Sequence, residues 1–170
     1  WDYWTNVWQA AHYTGKEAEE KQAVEEIVKV VQKIKDKEKR DEKWVWMADR
    51  LRRAHRFDLA RMCAGYISDR HRATWETYQV YHEAHQWKQA DRELQILEKM
   101  SDEEWSQRAT RQRAWVYHHR MGRFDEAIKL YISLADPPWT LWQIQDCHWR
   151  LKNRKKAMSV LAELETMFPD

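Results

Sequence analysis

Gly122-Arg123-Phe124-Asp125-Glu126-Ala127-Ile128, with Tyr131 following, is the stretch whose reading decides the fold. Relative to Ala127, Phe124 stands three residues before, Tyr131 four after and Leu134 seven after. Those offsets mark one stripe of an α-helix whose apolar face meets a neighbour. Gly122 sits just ahead, where a residue able to adopt the left-handed conformation ends a preceding helix. The stretch therefore reads as a turn followed by the second helix of a hairpin.

Working outward, Ala60, Ala90 and Ala157 anchor similar segments, and the four alanines are spaced by 30, 37 and 30 residues. Three residues before the other anchors stand Phe57, Trp87 and, exceptionally, Arg154; four after come Ala64, Leu94 and Leu161; seven after come Ile67, Leu97 and Leu164. Nine before all four lie Leu51, Tyr81, His118 and His148, and sixteen before lie Trp44, Thr74, Arg111 and Leu141, marking an upstream helix. Turns are expected at His55-Arg56, His85-Gln86, Gly122-Arg123 and Asn153. The fold class that follows is all-α, a right-handed solenoid of short antiparallel helix pairs.

Composition agrees. Only 3 Gly and 3 Pro punctuate 170 residues, too few for the hairpins of a β protein. Mean hydropathy is -0.99, yet hydrophobic residues make up 43% and the 12 Trp carry large apolar area, so the core is aromatic. Net charge is +2, from 30 cations and 28 anions, and requires neither a nucleic-acid nor an anionic-membrane partner. From Arg50 onward Arg predominates over Lys, which puts planar recognition in the later part of the chain. Cys63 and Cys147 read as two reduced, packed thiols, in keeping with the cytoplasm. No run of 18 apolar residues offers a membrane span. The chain opens with Trp1, not Met, which reads as a fragment or a processed product.

The stretch from Gly122 to Ile128 with Tyr131 resembles the turn and second helix of a tetratricopeptide repeat, and Met167-Phe168-Pro169 is similar to its terminal segment. Phe57-Asp58-Leu59-Ala60 and Trp87-Lys88-Gln89-Ala90 are less complete versions. The resemblance covers residues 44–170 as four units of a ~34-residue period. It implies a protein-binding scaffold. Two departures stand out. The first helices have Tyr78, Trp115 and Gln145 where the family places a small residue, and the 37-residue step needs an insertion. Ser101-Asp102-Glu103-Glu104-Trp105 supplies it, with Ser101 as helix cap and Glu104 at capping-box distance.

Residues 1–43 form a less typical pair. Trp4, Val7, Trp8 and Ala11 make one stripe, Thr14-Gly15 the break, and Val24, Ile27, Val28, Val31 and Ile34 a second stripe. Lys35 to Lys43 is almost wholly charged and reads as a solvated extension or linker, with a boundary near residue 40.

Catalytic markers are scarce. His82-Glu83-Ala84-His85 is one residue short of the zinc-protease spacing and lacks a third ligand, so these His are given structural or surface roles and no metal is assigned. Cys147 and His148 are adjacent, hence about 100° apart on a helix, and no oxyanion hole accompanies them. With no phosphate loop, nucleophile elbow or EF-hand, the expectation is a non-enzyme without a cofactor.

The candidate site is a concave surface of first helices. Trp44, Trp87 and Trp115 fall in or beside the packing columns, whereas Trp46, Trp75, Trp142 and Trp149 fall on the opposite side. Arg52, Arg53, Gln79, His82, Arg113, Arg120, Asp146 and Arg150 share that phase, as does Asp49. Trp and Arg are favoured binding residues, so the expected partner is an acidic, partly apolar peptide or helix of another protein. Two alternatives stay open: a helical repeat binding single-stranded RNA, and the regulatory arm of a larger enzyme.

Overall fold

The computed structural model describes residues 1–134 and 136–168, and among them every regular element is helical. Ten α-helices follow one another: α1 Asp2–Tyr13, α2 Glu17–Gln32, α3 Lys37–Arg53, α4 Phe57–Ala64, α5 Arg70–Glu83, α6 Trp87–Glu98, α7 Glu103–Val116, α8 Phe124–Leu134, α9 Trp139–Arg150 and α10 Arg154–Met167. A π-helical turn, Tyr117–Met121, continues α7. The chain divides into two compact units, residues 1–86 and 87–170. In the first unit α1 packs on α2, α3 on α4, and α5 against both α3 and α4. In the second, α6 through α10 pack each on the next. No helix among the described residues is long and apolar enough to cross a membrane. The terminal Pro169 of the expected repeat lies outside the described residues.

The register read from the sequence is the register of packing. Ala60, Ala90, Ala127 and Ala157 are all fully buried. Five residues before each anchor the backbone turns left-handed: φ is 58° at His55, His85 and Lys152 and 64° at Gly122. The next N–H then returns to a carbonyl five residues back, from Arg56 to Leu51 (2.8 Å), Gln86 to Tyr81 (2.9 Å) and Asn153 to His148 (2.9 Å). This is the Schellman closure of a helix C-terminus, which satisfies carbonyls that would otherwise be orphaned.

The N-terminal pair obeys the same rule. Gly15 has φ 70°, and the Lys16 N–H returns to the Ala11 carbonyl at 2.9 Å. Counting five forward from Gly15 reaches Glu20, which is buried although charged. Ala11, Val24 and Ile27 then fall in the apolar columns, and all are buried. The first hairpin thus shares the phase read at the four alanine anchors, with a carboxylate where they hold alanine.

Two local expectations are corrected. At the end of α7 the Arg123 N–H reaches the carbonyl of Tyr117, six residues back instead of five. The π turn therefore inserts one residue, and positions upstream of it shift by one relative to the other hairpins. The small residue of this first helix is Ala114, fully buried, and not the half-buried Trp115. At the start of α7 the cap is Asp102, whose carboxylate accepts the Trp105 N–H at 3.0 Å, and Ser101 lies outside the helix.

The charged stretch near residue 40 is divided between elements. The chain leaves helix over residues 33–36, Asp36 caps α3 by accepting the Lys39 N–H, and the rest of the stretch is the first half of α3. Within it Asp41 is buried, accepting the Ser68 N–H (3.0 Å), the Ser68 hydroxyl (2.7 Å) and the Asp69 N–H (3.0 Å) just ahead of α5. Burial pushes its carboxyl up, but these donors outweigh that and hold it below the usual carboxylate range.

Candidate binding surface

The residues expected to line one surface are distributed over both units, so each unit is described separately. In the first unit Trp46 meets Trp1 edge-on at 5.3 Å, and the Arg50 guanidinium lies over its ring at 5.2 Å. Arg52 is almost buried, its guanidinium engaged by Asp49 and Glu83. Arg53 is exposed but donates to Asp49 at 2.9 Å. Trp75 is 7% exposed and packs on Tyr78, which also meets His82 at 5.6 Å. Gln79 is half-buried. Two assignments are therefore corrected: Trp75 is a core residue, and the charge of Arg52 is used inside the unit. Phase alone misled because a long guanidinium side chain reaches carboxylates one turn and one helix away.

The first unit also holds the buried Glu20. It accepts from Trp8 Nε1 at 3.1 Å and from Arg56 Nε at 2.8 Å, and His12 Nδ1 lies 3.3 Å away. One carboxylate thus ties α1 and α2 to the turn between α3 and α4. The sequence carried no signal for this beyond a charged residue at an anchor position.

In the second unit Arg113 is likewise consumed. It donates to Asp91 (2.8 Å), Glu98 (2.6 Å) and the Tyr117 hydroxyl (2.9 Å), while Tyr117 donates to Asp91 at 3.1 Å. Reversing its charge would break a partly buried network of the fold, so Arg113 is removed from the ligand-facing set.

The remaining residues gather around the π turn and α9. His118, buried, makes a 2.8 Å contact through Nε2 with Asp146 and a 3.4 Å contact through Nδ1 with the Tyr131 hydroxyl. Asp146 also accepts from Arg150 Nε at 3.4 Å. These contacts set the end of the α7 hairpin directly beside the middle of α9. On the outside of that seam Arg120 lies over the rings of Trp87 and Trp115, at 5.4 and 5.1 Å. Trp142 and Trp149, two turns apart on α9, are each 51% exposed. Trp142 edges a crevice of about 360 Å³ with Pro138, Leu161, Leu164, Glu165 and Phe168, and the Arg154 guanidinium lies over Trp149 at 6.0 Å.

Burial pushes the thiols of Cys63 and Cys147 up to about 12, so neither is a thiolate nucleophile near neutral pH. His119 and His148 are both held below the usual histidine range by burial first, and then by the neighbouring His118 and Lys156 respectively. His82 packs on Tyr78 and His85 occupies a left-handed turn, and among the described residues no group of three His, Cys, Asp or Glu is placed to hold a metal ion. Comparison of the chain with protein-family models and with curated proteins finds no match.

Proposed function

We propose that the chain is a tetratricopeptide-like binding scaffold whose second unit takes an acidic, partly apolar peptide or helix of a partner protein. The observation that carries this reading is the pair of half-exposed indoles, Trp142 and Trp149, on one face of α9. Two large apolar rings left in water two turns apart cost hydration free energy that a partner would recover on contact. Cationic Arg150 and Arg154 flank them, which favours an anionic partner. The surface is smaller than the array of first helices expected from phase, because Trp75, Arg52 and Arg113 serve the fold. Recognition, not catalysis, is the proposed role, and the two buried free cysteines are in keeping with a reducing, cytoplasmic setting.

The test is fluorescence polarisation with a labelled random copolymer of glutamate and tyrosine, against an oligouridylate of equal length. The copolymer should bind the chain, more weakly as salt is added, and the Trp142→Ala, Trp149→Ala double variant should raise Kd by about 30-fold or more if these are hot spots. Unchanged binding by the double variant would place the interface elsewhere. Tighter binding of the oligouridylate than of the copolymer would replace this reading with the single-stranded nucleic-acid one.

A further inference from the structure

Arg120 is an exposed cation that the fold holds in place without using its charge. Its guanidinium lies over two indole rings, and among the described residues it takes part in no hydrogen bond or ion pair. The carboxylates of the same unit that could have taken it are engaged: Asp91 and Glu98 by Arg113, Glu126 by Arg123, Asp146 by His118 and Arg150.

The way it is held depends on the π turn. Trp115 and Arg120 are five residues apart, which at 100° per residue would set them about 140° apart on an α-helix. The i to i+5 closure of the π turn brings such residues onto one side, and the Gly122 N–H bonded to the Tyr117 carbonyl is that closure. A local departure from α-helix thus stacks this arginine on Trp115 while Trp87, at the start of α6, meets it from a neighbouring helix.

We infer that Arg120 is the anchoring residue of the proposed surface and that the group it takes is a carboxylate of the partner, an Asp or Glu side chain or a C-terminus. This rests on the reading that the second unit binds an acidic peptide. The two rings fix the guanidinium plane, so little rotamer freedom remains to be lost on binding, and donors along its edge suit a planar, bidentate acceptor. A phosphate backbone would want several free cations beside Arg120, whereas Arg111, Arg113, Arg123 and Arg150 have acidic partners. A guanidinium held over two half-buried indoles, with no carboxylate of its own, fits a single carboxylate on a partly apolar peptide.

The experiment follows the arginine Nε–H resonances of the 170-residue chain by NMR, with the Arg120 signal assigned by its loss in Arg120→Lys. Glutarate, the glutamate–tyrosine copolymer and the oligouridylate are added in turn, and polarisation is read in parallel. The Arg120 signal should shift and saturate with the copolymer and move in the same direction with glutarate, and Arg120→Lys, which keeps the charge but loses the plane, should raise the copolymer Kd about tenfold. Circular dichroism of the variant should match the parent, since the side chain supports no buried pair. Copolymer binding that is lost in the double tryptophan variant but unchanged in Arg120→Lys would overturn this inference and leave the proposed function standing. No copolymer binding at all would overturn both, and an Arg120 shift with the oligouridylate alone would assign the arginine to phosphate and overturn the carboxylate reading.

Discussion

The first hairpin and the α7–α8 hairpin solve one problem in opposite ways. Both turn through a left-handed glycine, Gly15 and Gly122, and both present an anchor five residues later to a site with no solvent. At Ala127 that site is filled by a methyl group. At Glu20 it is filled by a carboxylate that gathers Trp8 and Arg56 around it. An anchor position therefore demands burial, and it demands an apolar residue only when no donors are supplied from neighbouring elements. Glu20 receives an indole N–H from within the α1–α2 pair and a guanidinium from the α3–α4 turn.

The most damaging way to break the comparison is to exchange its terms. Ala127→Glu should destabilise the second unit by about 4 kcal/mol, because no donor described around Ala127 plays the part of Arg56 and a buried unpaired charge is among the costliest of single changes. Thermal unfolding checks it; a loss below about 1 kcal/mol would show that the site opens to water. Ala127→Trp tests volume alone and should cost about 1 to 3 kcal/mol through overpacking. Glu20→Ala should cost about 2 kcal/mol, less than a wholly enclosed pair, since Arg56 remains partly in water and can rehydrate. If Glu20→Ala instead stabilises, the carboxylate is a burden and alanine is the better anchor in the first hairpin too.

The turns permit a finer comparison. Gly122→Ala meets nothing within 4 Å of the added Cβ, so its expected loss of about 1 kcal/mol is conformational strain alone. Lys152→Gly should do the reverse and gain about 0.5 kcal/mol, strain relieved being partly offset by greater freedom in the unfolded chain. A fall in Tm for Gly122→Ala with a rise about half as large for Lys152→Gly would confirm that both positions carry left-handed strain, and a fall for both would refute it. The smallest expected effect is in pH. His119 and His148 are held low, so the unfolded chain binds more protons than the folded one below the ordinary histidine pKa of about 6.5, and stability of the second unit should fall as pH drops through that value. A flat Tm between pH 7.5 and 5.5 would count against it.

How much of this was legible depends on how far an interaction reaches along the chain. The four alanine columns and the turns at His55, His85 and Gly122 were readable, because apolar period and turn chemistry are local. The first hairpin was found but not put in register, since the charge of Glu20 hid the anchor. The spacing points to Trp115 as the close-approach position because a π turn adds a residue without any composition signal. Among the site residues, Trp142 and Trp149 are expected on the concave side of the first helices, and each is half-exposed. Arg52 and Arg113 were not seen to be internal, because Glu83 lies 31 residues from the first, while Asp91 and Glu98 lie 22 and 15 residues from the second. No pattern at helical spacing encodes such partners.

The π turn has a consequence for how a chain of this kind can change length. An extra residue inside a helix ordinarily rotates everything beyond it by about 100° and turns the next hairpin's apolar face to water. Here the surplus is taken up before Gly122, so Phe124 to Leu134 keep the face that the other second helices use. An insertion that would have scrambled the core is confined to five residues, and the side chains it displaces are His119 and Arg120, pushed outward where they cost the interior nothing. A helical fold that tolerates lengthening at this point can acquire new surface chemistry one residue at a time.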